Sequence, residues 1–181
     1  AAGYDGETTM NAPVPTTFIG SSVPEYIATT DYVFANYADT DTLVLPDVRS
    51  KNEFSGKISG YSYVLAKGRI PNGVWAYDAD DSSLLYKDAD NTLRSYTEIR
   101  DIWDSLGITP DKEIIFYCGS GYRSALAFFY AHLMGYPDIR NYSDGWEGWS
   151  TEYTEDEIAC ADSITAGWCQ DPSGRPIAKG K

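Results

Sequence analysis

The chain has 181 residues, 43% of them apolar and 23% charged, which fits one folded domain and excludes a disordered protein. Its 14 Lys and Arg against 27 Asp and Glu give a net charge of −13, a field that repels phosphate backbones and anionic lipid surfaces. The longest apolar-rich run, residues 125–134, is interrupted by His132 and is too short to cross a bilayer. We therefore expect a soluble acidic protein that neither binds nucleic acid nor inserts into a membrane.

Composition divides the chain into three parts. Residues 1–22 contain Pro13 and Pro15 among Gly and Thr with only scattered apolar residues, which is typical of a flexible arm or linker. Because the sequence starts at Ala1 without Met, we expect that a preceding segment was removed, and no signal peptide is recognisable. We expect the folded domain over residues 23–152 and a C-terminal extension, residues 153–181, that packs on the domain or trails it.

Strand and helix patterns alternate along the middle of the chain. The predicted elements are, in order, strand 42–45, a helical turn through Glu53 and Phe54, turn 68–73, strand 74–76, helix 95–106, strand 113–117, helix 124–134 and strand 139–142. Ser95 and Glu98 have the spacing of a capping box, and residues 113–117 are apolar on both faces, as in a central parallel strand. This order predicts an α/β layer architecture with a mainly parallel sheet.

The strongest chemical signal is the run Cys118-Gly119-Ser120-Gly121-Tyr122-Arg123, which lies between the best strand and a helix. A glycine-rich loop at a helix N-terminus turns backbone N–H groups inward, and these donors, with the helix dipole, stabilise a thiolate. Arg123 adds positive charge at the first helical turn. The alternative is a buried apolar cysteine at a strand end, which two loop glycines and an arginine make the weaker interpretation.

Two other cysteine chemistries fit this loop less well. A cysteine hydrolase needs a histidine base, yet His132, the only histidine, lies roughly 13 Å along the helix from Arg123. Cysteine phosphatases place five residues between Cys and Arg, whereas here there are four, Gly119 to Tyr122. The smaller cradle suits one extra sulfur atom better than a phosphate.

These residues resemble the rhodanese sulfurtransferase family across roughly residues 26–150. Four segments in the family's order carry the resemblance: Asp47-Val48-Arg49 with Glu53-Phe54 and Gly56, Gly68-Arg69-Ile70-Pro71-Asn72-Gly73, Phe116 to Ser124 around the loop, and Tyr142-Ser143-Asp144-Gly145-Trp146 with Trp149. The long insert, residues 77–94, and the tail look most like the catalytic last domain of tandem, often exported members. The resemblance implies a three-layer α/β fold with a mainly parallel central sheet of about five strands flanked by helices.

The resemblance also implies a reaction in two halves. A Cys118 thiolate would take the sulfane sulfur of a donor such as thiosulfate or 3-mercaptopyruvate, and a thiophilic acceptor, cyanide or a thiol, would remove it from the persulfide. No cofactor or metal is implied. The implied substrate-binding residues are Gly119, Ser120, Gly121, Tyr122 and Arg123. Another rhodanese domain of the same parent chain is a possible partner.

The sequence departs from the family's two-domain enzymes at Glu53, where they tend to carry a donor-binding arginine. A glycine follows the nucleophile, as in mercaptopyruvate enzymes, whereas thiosulfate enzymes usually have a basic loop. With a net charge of −13, strong steering of anionic donors is not expected. The physiological donor stays open, and the alternatives are a non-catalytic binding module or a relative of cysteine phosphatases and arsenate reductases.

Three residues outside the loop are candidates for lining the site: Asp47, Arg69 and Trp146. A structural ion pair of Asp47 with Arg49 is at least as plausible, and aromatics at helical spacing more often belong to the core. Tyr122 at the loop tip is the best candidate for limiting donor size. The aspartates between residues 78 and 90 lack the glycine and glutamate of a calcium loop, so we expect a solvated loop and no metal site.

The cysteines bear on the compartment. Cys160 and Cys169 lie close in sequence and either form a local disulfide, which requires an oxidising compartment, or remain reduced in a cytosolic protein. The 15 tyrosines and few lysines agree with secretion. We favour an extracytoplasmic location, periplasmic or secreted, over a cytoplasmic one.

Overall fold

A computed structural model describes residues 17, 19–76, 86–152 and 171–180. Its helices, after a 3-10 turn at Pro24–Tyr26, are α1 (Thr30–Asn36), α2 (Lys51–Phe54), α3 (Tyr96–Ser105), α4 (Tyr122–Leu133) and α5 (Gly145–Ser150). Its strands are β1 (Ile27–Ala28), β2 (Leu43–Val44), β3 (Pro46–Asp47), β4 (Val74–Trp75), β5 (Glu113–Tyr117), β6 (Ile139–Tyr142), β7 (Thr151–Glu152) and β8 (Asp171–Pro172).

The central sheet is parallel and runs in the order β1-β6-β5-β3-β4. β2 also pairs with β5, through Leu43 opposite Glu113, and β3 continues along β5 with Asp47 opposite Tyr117. β2 and β3 therefore act as one strand interrupted at Leu45, so that six strands fill five positions. The expected mainly parallel sheet of about five strands is confirmed.

Alternate residues of β5 enter two separate cores, because successive side chains of a strand point to opposite faces. Ile114 and Phe116, followed by Cys118, join the core that includes residues of α3 and α4. Ile115 and Tyr117 join the core that includes residues of α1 and α5. This two-sided burial explains the unbroken apolar run of β5 and produces three layers, with the cysteine at the end of the most buried strand.

Helix capping differs from the sequence prediction at one helix. Ser95 caps α3 by accepting a hydrogen bond from the Thr97 amide at 3.3 Å, but the reciprocal bond expected from Glu98 is not found among the described residues. The complete capping box lies instead at α2. There the Ser50 hydroxyl accepts from the Glu53 amide, and the Glu53 carboxylate accepts from the Ser50 amide.

The C-terminal segment 171–180 packs against the domain. β8 pairs antiparallel with β7, and the backbone of Ala178 pairs with that of Arg69. The Trp149 indole donates to the Pro176 carbonyl oxygen at 2.9 Å. The segment thus covers α5 and the start of the turn 68–73.

Several expectations concern residues outside those described. They are most of the N-terminal arm (1–16 and 18), the acidic insert over 77–85, and the segment 153–170 with Cys160 and Cys169, so the pairing of these two cysteines stays a prediction. In the part of the chain that is described, no helix is long and apolar enough to span a bilayer.

Asp47 and Arg49 form a fully buried ion pair at the end of β3. Arg49 Nη2 lies 2.6 Å from Asp47 Oδ2 and donates also to the Gly68 carbonyl oxygen at 2.8 Å. The guanidinium carbon lies 5.0 Å from the ring centroid of Trp146. This is the structural ion pair considered for Asp47, and it ties β3 to the turn that begins at Gly68.

Replacing Arg49 should therefore destabilise the fold. Arg49→Leu leaves the Asp47 carboxylate buried without its partner, and we expect the free energy of unfolding to fall by about 3–5 kcal/mol. Urea denaturation measures it. Arg100→Leu, at a 48% exposed side chain on α3, is the matched control and should change stability by less than about 0.5 kcal/mol. Equal losses in both variants would contradict a structural role for the pair.

Candidate active site: the cysteine loop

Cys118 directly follows β5, and α4 begins four residues later at Tyr122. The connection needs glycine at position 121, where the backbone has φ = +76° and a Cβ would lie 2.5 Å from the Ser143 carbonyl oxygen. The chain thus reverses sharply and places the N-terminus of a 12-residue helix next to the cysteine. The unpaired N–H groups of that first helical turn carry the positive end of the helix dipole.

Backbone amides of α5 donate hydrogen bonds to two carbonyl oxygens of the loop. The Trp146 amide donates to the Cys118 carbonyl oxygen at 2.8 Å, and the Glu147 amide donates to the Gly119 carbonyl oxygen at 2.9 Å. In a trans peptide the C=O and the next N–H point in opposite directions, so the amides of Gly119 and Ser120 point away from α5. Among the described residues these two amides have no backbone acceptor, which leaves them free to bind an anion in the loop.

A serine hydroxyl lies beside the sulfur. Ser124 Oγ, on the first turn of α4, lies 3.7 Å from Cys118 Sγ. The same hydroxyl lies 2.6 Å from Asn141 Oδ1 on β6 and 3.0 Å from the Gly121 carbonyl oxygen. Asn141 thereby fixes the position of the Ser124 side chain beside the sulfur.

The loop is covered by a tyrosine from the segment after α2. A Cβ on Gly119 would overlap the ring of Tyr61, so the two residues are in direct contact. The Tyr61 ring centroid lies 5.2 Å from that of Tyr63. Cys118 itself has no exposed surface, and the thiol is buried and free. Any reactant must therefore reach the thiol past this aromatic pair or along the loop.

Arg123 lies in a salt bridge with Glu53. Its Nη2 lies 2.7 Å from Glu53 Oε1 and its Nη1 lies 3.0 Å from Oε2, and Nη2 also donates to the Tyr61 hydroxyl at 3.2 Å. Burial by itself would raise the pKa of Glu53. The hydrogen bonds from Arg123 and Ser50, with the charge of Arg123, outweigh burial and hold that pKa below its ordinary value. Burial by itself would lower the pKa of Arg123. The hydrogen bond and the charge of Glu53 outweigh burial and raise the pKa of Arg123.

A polar cavity of about 600 Å³ opens beside Ser120. Asp144, Glu147 and Glu152 line it together with Arg175. Glu147 also acts on Tyr63, whose pKa is raised first by burial and then by the nearby Glu147 charge, while a hydrogen bond with Ser120 opposes the shift. The surroundings of the loop are thus richer in carboxylates than in cations.

The structure brings together most, but not all, of the residues expected at the site. Tyr122 is 89% exposed at the loop tip. Trp146 is buried; its backbone holds the loop and its indole donates to the Ala66 carbonyl oxygen. Arg69 instead packs on the Phe54 ring and donates to the Gly180 carbonyl oxygen, and so contacts the C-terminal segment.

Four residues near the sulfur were not assigned a role from the sequence: Tyr61, Tyr63, Ser124 and Asn141. Ser124 stands in the segment that carries the resemblance, so its position beside the loop was visible. Tyr61 and Tyr63 lie in an irregular stretch with no periodicity, and no sequence signal indicates that they cover the loop. In the described ranges, no three His, Cys, Asp or Glu side chains come together as a metal site.

A buried cysteine that follows a central strand, beside a glycine-containing loop and a helix N-terminus, defines a class of α/β domain in which the cysteine is the candidate nucleophile. The sequence matches the Rhodanese-like domain family over residues 30–152. The chain belongs to that family.

Curated relatives match only part of their length. The chain is 37% identical over 110 residues to thiosulfate sulfurtransferase YnjE of Escherichia coli K12, covering 60% of this chain and 25% of that protein. It is 34% identical over 129 residues to thiosulfate sulfurtransferase of Azotobacter vinelandii, covering 69% of this chain and 43% of that protein. The chain thus spans less than half of these relatives.

Two solved structures share the fold, one of them an anaerobic ergothioneine biosynthesis enzyme. The Chlorobium limicola enzyme, in complex with its natural substrate trimethyl histidine, has a TM-score of 0.70 and 33% identity, over 87% of this chain and 33% of that one. A variant of EanB with a cysteine persulfide, in a tetrahedral intermediate state with ergothioneine, has a TM-score of 0.70 and 33% identity, over 94% of this chain and 37% of that one.

The contact of Tyr61 with Gly119 predicts a coupled pair of substitutions. Gly119→Ala forces Tyr61 away, and we expect it to lower the free energy of unfolding by about 1–3 kcal/mol. In a Tyr61→Ala background the same change meets no ring and should cost at least about 1 kcal/mol less. Urea denaturation of the four proteins measures the coupling. Additive effects would mean that the ring does not restrict position 119.

The Glu53–Arg123 pair predicts a pH dependence of stability. Because the folded-state pKa of Glu53 lies below its ordinary value of 4.5, its contribution is present above that pH and is lost as the pH falls through the folded pKa. We expect the native protein to lose more unfolding free energy than Glu53→Gln between about pH 6 and pH 3. Glu25→Gln, at an exposed residue, is the control, and its curve should follow that of the native protein.

Proposed function

We propose that this chain is a sulfurtransferase domain that carries a sulfane sulfur as a persulfide on Cys118. The observation that carries the proposal is the loop itself. A cysteine sulfur lies at the end of β5, the amides of Gly119 and Ser120 face away from their α5 anchor, and the α4 N-terminus follows. Such donors stabilise a thiolate and, equally, a persulfide anion.

In the first half-reaction the Cys118 thiolate attacks the outer sulfur of a donor. With thiosulfate, the new bond is Sγ–S, the donor's S–S bond breaks, and sulfite leaves with the bonding electron pair. With 3-mercaptopyruvate, the C–S bond breaks instead and the carbon fragment takes a proton. The negative charge moves by one sulfur atom, within reach of the same amides.

In the second half-reaction a thiophilic acceptor attacks the outer sulfur of the persulfide. Cyanide leaves as thiocyanate, or a thiolate leaves as a persulfide, and the Cys118 thiolate is restored in either case. The polar cavity beside Ser120 offers the acceptor an approach, since it opens at the loop, and its carboxylates favour an uncharged acceptor over an anionic one.

The relatives support this assignment. YnjE and the A. vinelandii protein are named thiosulfate sulfurtransferases, and one related structure holds a cysteine persulfide. The identity of donor and acceptor in this chain is part of the proposal. A second rhodanese domain in the parent chain and an extracytoplasmic location stay predictions.

Intact-mass measurement tests the persulfide directly. After incubation with thiosulfate or 3-mercaptopyruvate and removal of excess donor, we expect the native protein to gain one sulfur atom and cyanide to remove it as thiocyanate. Cys118→Ser, in which the nucleophile is replaced by a near-isosteric hydroxyl, should gain nothing. The loop geometry predicts loading at Cys118 alone, so Cys160 and Cys169 serve as internal controls.

Other outcomes would overturn the proposal in distinct ways. If neither donor loads the folded native protein, the sulfur-transfer proposal is wrong and the binding-module alternative is favoured. Hydrolysis of an aryl phosphate that depends on Cys118, without sulfur loading, would favour the phosphatase alternative. Loading that survives Cys118→Ser would place the carrier on another cysteine.

A further inference from the structure

Arg123, the one cationic residue of the loop, is already paired with a carboxylate. Arg123 is the only Lys or Arg in residues 118–124, and three of its hydrogen bonds go to Glu53 and Tyr61. The Glu53 side chain is 4% exposed, and its carboxylate also accepts from the Ser50 amide and hydroxyl. Glu53 is thus fixed from two sides, and the loop cation is fully compensated before any substrate arrives.

Separating this pair to admit an anion would be costly. A buried carboxylate that loses its partner retains its desolvation penalty, so a donor cannot take over Arg123 by a simple exchange. The fixed charge that a donor meets beside the loop is therefore that of an ion pair, with no surplus positive charge. The remaining attraction comes from the loop amides and the helix N-terminus.

The cavity beside the loop does not supply the missing cation. Arg175 lines it, but its Nη1 donates to the Gly148 carbonyl oxygen at 3.2 Å, and its Nη2 lies 3.7 Å from Glu152. Asp144 and Glu147 add negative charge to the same wall. A dianion that approaches the Cys118 thiolate by this route meets like charge, which costs free energy.

We infer that Glu53 is a specificity-determining residue, which makes the domain prefer sulfane donors of low negative charge to dianionic donors. The inference rests on the proposed sulfur transfer and names the class of donor for that same site. Glu53 acts through Arg123. If the negative charge of Glu53 were removed, the Arg123 guanidinium would bind an anionic leaving group.

Two donors of similar shape separate charge from chemistry. Thiosulfate carries two negative charges and releases sulfite. Methanethiosulfonate has a methyl group in place of one oxygen, carries one negative charge and releases methanesulfinate. Each transfers its outer sulfur to the Cys118 thiolate by cleavage of one S–S bond, so total charge and atoms balance in both reactions.

The test compares kcat/KM for the two donors, with cyanide as acceptor, in the native protein and in Glu53→Gln. Glutamine keeps an oxygen for Arg123 and is accepted at the third position of a capping box, so α2 should remain intact. We expect the native protein to favour methanethiosulfonate, and Glu53→Gln to raise kcat/KM for thiosulfate about tenfold more than for methanethiosulfonate. Glu25→Gln, an exposed residue with the same change in net charge, should leave the ratio of the two donors unchanged.

Ionic strength gives a second test that needs no variant. If like charge limits the dianion, added salt should raise kcat/KM for thiosulfate relative to methanethiosulfonate in the native protein. An equal donor ratio in the native protein and Glu53→Gln, together with a salt-independent ratio, would overturn the inference and leave sulfur transfer standing. No transfer from either donor would overturn the proposed function itself.

Discussion

Two hydrogen bonds from the start of α5 set the chemistry of the cysteine loop. By holding the carbonyl oxygens of Cys118 and Gly119, the amides of Trp146 and Glu147 fix the peptide planes and so orient the following N–H groups. Gly145 is required at that point, because its φ is +57° and a Cβ would lie 2.6 Å from the Cys118 carbonyl oxygen. The donors that would stabilise a thiolate are thus positioned by α5, a helix more than 20 residues further along the chain.

Two arginines near this loop are each paired with a carboxylate. Asp47 neutralises the charge of Arg49 in the core, and Glu53 neutralises that of Arg123 beside the loop. The first pair supports the turn that begins at Gly68, and the second holds the first turn of α4 against α2. Neither arginine contributes an uncompensated charge, so backbone dipoles remain the main source of positive potential at the sulfur.

The sequence predicted the framework because the framework is encoded locally. The apolar run of β5, the glycines of the loop and the order of the four family segments each lie within a few residues, and together they indicated fold, nucleophile and loop. The cover of the loop depends on Tyr61, whose role arises only when the segment after α2 folds over Gly119. Likewise, Glu53 could be recognised as a departure from relatives, but its pairing with Arg123 spans 70 residues and has no local signature. The spacing predicts a capping box at Ser95, although the reciprocal pair forms at Ser50, because in both segments a glutamate follows the serine by three residues and spacing does not distinguish them.

The C-terminal segment changes where this domain should be considered to end. The match to the family stops at residue 152, yet residues 171–180 return to the body of the protein. Trp149 is fully buried, and its indole N–H is satisfied by Pro176. A protein cut at the family boundary would leave this donor without its acceptor and uncover α5, the helix that orients the loop amides. Residues 171–180 therefore belong to the folded domain although they lie beyond the family match, and they support the helix behind the cysteine loop.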